Sequence, residues 1–224
     1  DLLSVSKVIR SGRIVQGEVV EKFENKVAKY IGVDGAVAMN TGTSALHLSL
    51  LAIGIKEGDY VAMPSFVCTA LLNAVRYVGA HPTLVDIDPE TYNIDIRDLK
   101  KRVKKSTKAI ILPHLFGLPA DIDEIVSLGI PVIEDCAQAI GAVYKGRKVG
   151  SFGKLSCFSF YATKVLSTGE GGMVVSDSKS LLKKIRDFRD YDNKKNYTVR
   201  YNYKMTDIQA AMGIAQLKKL HSLL

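Results

Sequence analysis

Three short segments of the 224-residue sequence carry residue types at spacings that could do chemistry. The first, Asn40-Thr41-Gly42-Thr43-Ser44, stands where a strand-like run gives way to an apolar helical pattern. A helix start leaves backbone N–H groups unpaired and carries partial positive charge. Gly42 lets a ligand approach closely, and the Thr43 and Ser44 hydroxyls add donors, so a phosphate fits there. The spacing is neither GxxxxGK[ST] nor GxGxxG, and an ordinary N-cap is the competing reading. The second segment, Pro131 to Gln138, delivers Asp135 at the carboxyl end of a strand, the edge where ligands bind in open α/β sheets. A carboxylate placed there must meet a cation, a metal or several N–H donors; capping of a helix by Asp135 is the alternative. The third runs from Ser159 to Lys164 and is followed by Gly169-Glu170-Gly171-Gly172. A lysine among small and hydroxyl residues beyond a strand suggests partial desolvation, which lowers the ammonium pKa and frees the amine as a nucleophile. A surface lysine in a glycine-rich connection is the alternative.

Joined, a phosphate cradle, a strand-end carboxylate and a nucleophilic lysine are the three grips that pyridoxal 5'-phosphate requires, for its phosphate, its ring nitrogen and its aldehyde. In this reading Asp135 keeps the ring nitrogen protonated. Lys164 holds the aldehyde, yields it to an incoming amine and then shuttles the α-proton.

The elements that must position these groups follow from hydrophobic patterning. Seven apolar or β-branched runs read as strands: Ala36 to Met39, Tyr60 to Met63, Thr83 to Ile87, Ala109 to Pro113, Pro131 to Glu134, Leu155 to Phe160 and Met173 to Ser176. Most are near-continuous, as in strands covered on both faces, and the longer intervals between them are helical, which predicts a mostly parallel α/β sheet flanked by helices. The interval before Met173 is too short for a crossover helix and leaves room for one antiparallel strand. Helices are expected over Glu18 to Ile31, with Val19, Phe23, Val27 and Ile31 as its stripe, and over Thr43 to Leu51, Asp95 to Val103, Asp121 to Leu128 and Ser180 to Phe188. No linker or repeat divides the chain, so residues 1–224 read as one domain. The helical pattern of Met205 to Leu224 runs to the last residue without a stop signal, which predicts a further domain beyond it.

Composition excludes several classes. Hydrophobic residues make up 47% and charged residues 24%, ruling out a disordered or collagen-like chain. Cys68, Cys136 and Cys157 lie far apart in apolar stretches, where thiols act as small hydrophobes, and the four histidines are equally scattered; no metal site is expected. No apolar run is long enough to span a bilayer and no signal peptide opens the chain, so a cytoplasmic protein without membrane contact is expected. The net charge of +8 concentrates in Lys100 to Lys108 and Lys183 to Lys195 without interleaved aromatics, which reads as a solvated face rather than a nucleic-acid surface.

A collinear series then supplies a resemblance. TGTSALHLSL, PSF with Asn73-Ala74-Val75, VDID, HLFGLPADIDEI, VIEDCAQAIGA, SFYATKVLSTGEGGMVV and YNYKMTDIQAAMGIAQL, spread from about Ser11 to the last residue, resemble the DegT/DnrJ/EryC1/StrS sugar aminotransferases. The resemblance implies the large domain of a fold type I pyridoxal phosphate enzyme, lacking the family's smaller C-terminal domain. Such enzymes move an amino group, typically from glutamate, onto a nucleotide-linked keto sugar. It implies that Lys164 bonds the cofactor, that Asp135 partners the ring nitrogen and that Gln138 lies beside the ring. Gly42, Thr43 and Ser159 match phosphate-binding positions, with Ser44 in the same cradle, and Cys68 stands nearest the position where the family places an aromatic ring. Asn202 matches an asparagine that reaches the phosphate of a neighbouring subunit, implying a homodimer with shared sites. Relatives that dehydrate sugars carry histidine in place of the lysine, so Lys164 favours amino transfer over that branch. A non-catalytic regulator retaining the fold is the remaining alternative.

Overall fold

Short apolar runs alternate with amphipathic segments along this chain, and the runs come together in a central sheet. The computed structural model describes all 224 residues. Its strands are β1 (Gly35–Met39), β2 (Tyr60–Pro64), β3 (His81–Val85), β4 (Thr107–Pro113), β5 (Val132–Asp135), a small hairpin of β6 (Val143–Tyr144) with β7 (Arg147–Lys148), and then β8 (Leu155–Ser159) and β9 (Gly172–Ser176). All but the hairpin join one seven-stranded sheet in the order β1-β9-β8-β5-β4-β2-β3. β9 runs antiparallel to both its neighbours and the other pairings are parallel. The expected single antiparallel strand is therefore β9: the segment between β8 and β9 holds no helix, so the chain turns back instead of crossing over.

Period-two alternation splits the strand side chains between two cores. Ala36, Ala38, Ile110 and Leu112 face a cluster with α2 (Glu18–Ile31), α5 (Ile96–Arg102), α6 (Ile122–Val126) and α8 (Asp207–Leu223). Val37, Met39, Ala109 and Ile111 face the opposite cluster with α3 (Gly42–Ala52), α4 (Thr69–Tyr77) and α7 (Lys179–Arg189). The N-terminal α1 (Leu2–Ser11) packs on α8. Buried Asp207 ties the ends of the chain together: its carboxylate accepts from the Gly17 and Val20 amides at 2.8 and 3.0 Å, filling the start of α2, whose N-cap Gly17 has no side chain to do so. No helix is long and apolar enough to cross a membrane.

The third strand departs from expectation, ending at Val85 rather than Ile87. Asp86 receives its own cap, with its N–H on the Asp98 carboxylate at 2.8 Å and its side chain accepting from Ile87 N, so the chain leaves the sheet there. Nor do all three cysteines behave as core hydrophobes: Cys136 and Cys157 are buried, but Cys68 is exposed at the N-cap of α4.

Candidate active site

Sheet register sets the site. Met39 and Ser159 are both paired with Gly172, and Asp135 is paired with Pro113 on one side and Cys157 on the other. The carboxyl ends of β1, β8, β5 and β4 are thus level, and the loops leaving them share one cavity of about 350 Å³. Its wall includes Thr41, Gly42, Thr43, Cys68, Asp135, Gln138, Ser159 and Lys164, so the three segments singled out from sequence converge. Ser44 and Asn202 lie off that wall. Ser44 is buried one step deeper, its hydroxyl on Asn40 Oδ1 at 2.7 Å and its N–H on Thr41 Oγ1 at 3.0 Å. Asn202 is exposed on the segment that joins α7 to α8.

At the cradle, Thr41 is the N-cap of α3 and takes up the Ser44 amide, which leaves the amides of Gly42 and Thr43 without an acceptor in the chain. Two free N–H groups at the positive end of an eleven-residue helix, on a cavity wall, make an anion site. Glycine is required at 42 by close packing: a Cβ there would lie 2.8 Å from Ser159 Cβ and 3.3 Å from Ser159 Cα. Gly172 keeps the cradle seated from below, since a Cβ on it would meet the Thr41 carbonyl.

Asp135 is buried at the tip of β5. One carboxylate oxygen accepts from Ala137 N at 3.0 Å, and the other has no partner in the chain. Burial pushes its pKa up, while the Ala137 amide and the charge of Lys164 act against that rise. A buried carboxylate with one unfilled oxygen on a cavity wall is suited to a protonated ring nitrogen, whose N–H would complete its hydrogen bonding. Lys164 is half-buried, and its ammonium enters no hydrogen bond or ion pair within the chain. Gln138 has its Oε1 on the Phe116 amide at 2.9 Å, which fixes the side chain along the rim. The residues present therefore fit pyridoxal phosphate at three points: free amides for the phosphate, an underpaired acid for the ring nitrogen and an unengaged amine for the aldehyde.

Sequence reasoning missed the scaffold behind Asp135. Neighbouring Glu134 points to the other side of β5 and is fully buried, where it accepts from Gly150 N, Phe152 N, Gly153 N, Ser156 Oγ and His114 Nε2 at 2.7–3.0 Å. Burial alone would raise its pKa, but the His114 hydrogen bond and the Gly150 and Gly153 amides outweigh that and hold it below the ordinary value. Ala120 N donates to His114 Nδ1 at 3.2 Å, so the ring proton sits on Nε2 and is given to Glu134. The fold also brings Cys136 within 4.8 Å of these two groups, a cluster that scattered sequence positions conceal. Its atoms are already spent: both imidazole nitrogens and both carboxylate oxygens are bonded, and burial pushes the Cys136 thiol pKa well up, away from the thiolate a metal needs.

A mixed α/β sheet with an anion cradle, a buried acid and a free lysine amine meeting at one strand edge defines a ligand-binding enzyme class rather than a structural module. The chain belongs to the DegT/DnrJ/EryC1/StrS aminotransferase family, whose pattern is matched by residues 1–224. It is 44% identical over 213 residues to the GDP-perosamine synthase of Escherichia coli, covering 91% of this chain and 58% of that protein. Among solved structures, DesV of S. venezuelae in complex with a ketimine intermediate superposes with a TM-score of 0.94 at 36% identity, over 98% of this chain and 62% of that one. NtdA of Bacillus subtilis with bound cofactor PMP gives a TM-score of 0.91 at 31% identity, over 98% and 52%. The chain thus spans about three fifths of the length of the curated relative.

Proposed function

We propose that this chain is the cofactor-binding large domain of a pyridoxal phosphate-dependent aminotransferase that moves an amino group, from a donor such as glutamate, onto a nucleotide-linked keto sugar. One observation carries the reading: the free amides of Gly42 and Thr43, the underpaired Asp135 oxygen and the unengaged Lys164 amine share one cavity wall in a member of this family. GDP-perosamine synthase among its relatives supports the sugar substrate.

Bound in this cavity, pyridoxal phosphate supplies the electron sink that makes a proton on an amino-bearing carbon acidic. The chain's residues do the rest. The amides of Gly42 and Thr43, with the hydroxyls of Thr43 and Ser159, hold the phosphate at the positive end of α3. Asp135, with one carboxylate oxygen left without a partner on the cavity wall, would keep a proton on the ring nitrogen by standing as the counter-charge to it. Lys164 Nζ holds the aldehyde until an amino donor displaces it, and then takes and returns the α-proton as general base and acid. Cys68 and Gln138 flank the ring position from the β2–α4 and β5–β6 loops. Asn202, exposed and off the wall, suits contact with the phosphate in a second copy, so the active species in this reading is a homodimer with shared sites.

The test is a half-reaction. Protein loaded with pyridoxal phosphate and mixed with glutamate should convert the cofactor to its amine form, seen as loss of the visible band. Asp135→Asn should retain the band but convert markedly more slowly. No conversion in the unmodified protein would remove amino transfer and leave a regulator.

A further inference from the structure

On the edge of the sheet opposite the candidate active site, a second cavity of about 360 Å³ opens at the amino ends of β2, β3 and β4. Register levels those ends: Tyr60, the first residue of β2, is paired with His81 and Thr107, the first residues of β3 and β4. The seven residues of β4 set the two edges about 20 Å apart. Every side chain on the wall of this cavity is a hydrogen-bond donor. Lys101, Arg102 and Lys104 supply cations, Tyr60, Thr83, Ser106 and Thr107 supply hydroxyls, and no carboxylate is among them.

These donors are unspent. Of the six cations between Lys100 and Lys108, only Lys100 and Arg102 meet a carboxylate, those of Glu124 and Asp98, each at 2.5 Å. Arg102 uses Nε alone, so both of its terminal nitrogens stay free. Among the hydroxyls only that of Thr107 is engaged, and as an acceptor: its Oγ1 takes Lys104 N at 3.0 Å, and its own proton has no acceptor in the chain. The same contact holds the wall in shape. With Thr107 N on Lys104 O at 2.9 Å it closes the turn from Lys104 to Thr107 from both sides, and Val103 N on Leu99 O at 2.9 Å seats that turn against α5. A cleft lined by one sign of charge concentrates its field on whatever enters, and here the sign is positive.

We propose that this cavity binds the phosphate or diphosphate group of a second ligand, remote from the reaction. A tetrahedral phosphate offers acceptor oxygens in several directions, which matches a guanidinium fork, two ammonium groups and four hydroxyls converging from α5, the following turn and three strands. A carboxylate, with two oxygens in one plane, would leave most of these donors idle. The group can arrive on a soluble phosphate ester or on a phospholipid head, and both present the same oxygens to the wall.

Calorimetric titration with inorganic pyrophosphate tests this, with pyridoxal phosphate already bound so that the free amides of Gly42 and Thr43 are filled. The unmodified protein should bind pyrophosphate saturably, and acetate at equal ionic strength at least about tenfold more weakly. Lys104→Ala and Thr83→Val, which alter exposed and half-buried side chains and should melt as the unmodified protein does, should each weaken pyrophosphate binding about tenfold, the scale of one lost hydrogen bond to a charged group. Lys105→Ala removes the same charge one residue away and off the wall, and should change the affinity by less than about twofold. No saturable binding of pyrophosphate would overturn the proposal. Equal losses in Lys104→Ala and Lys105→Ala would also overturn it and reduce the patch to a diffuse basic field. Co-sedimentation with vesicles of phosphatidylcholine and phosphatidic acid, competed by pyrophosphate and lost in Lys104→Ala, would support the site with a lipid head as the source; pyrophosphate binding without co-sedimentation would support it with a soluble ester.

Discussion

Glu134→Gln is the sharpest probe of the scaffold that holds the site. Glu134 Oε1 accepts from Phe152 N, Gly153 N and Ser156 Oγ, and Oε2 accepts from Gly150 N and His114 Nε2. Glutamine keeps the shape but turns one acceptor oxygen into an NH₂ group. Whichever oxygen is replaced, at least two buried donors lose their acceptor and face another donor. His114 cannot rescue the change by moving its proton, since Nδ1 is already occupied by the Ala120 amide. At about 1–3 kcal/mol for each orphaned buried donor, the variant loses roughly 2–6 kcal/mol, a large part of the ~5–15 kcal/mol that stabilises a typical domain. For a chain of this size that corresponds to a fall in Tm of roughly 5–20 °C. Because the folded-state pKa of Glu134 lies below its ordinary value, its ionic contribution is complete above about pH 4.3 and is lost as pH falls through the folded value. Thermal unfolding followed by circular dichroism should show the full gap at pH 7, narrowing below about pH 4. A gap under about 2 °C at neutral pH, or one that widens on acidification, would refute the reasoning.

Other perturbations read other parts of the account. Gly42→Ala drives a Cβ to within 2.8 Å of Ser159 Cβ, so α3 and β8 must separate; it should cost about 1–3 kcal/mol and weaken cofactor binding measured by spectroscopic titration. Asp207→Ala strips the acceptor from Gly17 N and Val20 N at the start of α2 and should lower stability by about 1–3 kcal/mol in urea unfolding with cofactor affinity unchanged. His47, buried among Tyr77, Tyr201 and Tyr203, has its pKa lowered to about 4 by burial. The unfolded chain takes up its proton first, so stability should drop as pH falls from about 6.5 to about 4, and His47→Gln should flatten that slope in pH-dependent denaturation.

Much of the architecture was legible because its signals are local. The expected Glu18 to Ile31 helix coincides with α2, whose apolar spacing is regular and which ends on Gly32 at φ 90°. The antiparallel β9 followed from the length of one connection. The two-residue strands of the β6–β7 hairpin carry too few residues for any periodicity. Within the site, strand-end placement identified Asp135, but nothing local distinguishes it from Glu134; alternation along β5 sends one acid to the cavity and the other to five buried donors. Ser44 shares its segment with Gly42 and Thr43, yet α3 begins at Gly42, so the first two amides stay free while Thr41 consumes the Ser44 amide. Phe116 gave no sign of its left-handed backbone, because the Gln138 side chain that accepts from its N–H and the Asn93 side chain that accepts from Leu115 N come from distant parts of the sequence.

The convergence of Gly42 and Thr43, Asp135 and Lys164 on one cofactor is tested most directly by covalent mapping. Protein equilibrated with pyridoxal phosphate, reduced with borohydride and digested should carry the reduced cofactor on the peptide containing Lys164, and Lys164→Ala should carry none while melting as before. A label found on another lysine, or undiminished labelling of Lys164→Ala, would contradict the account.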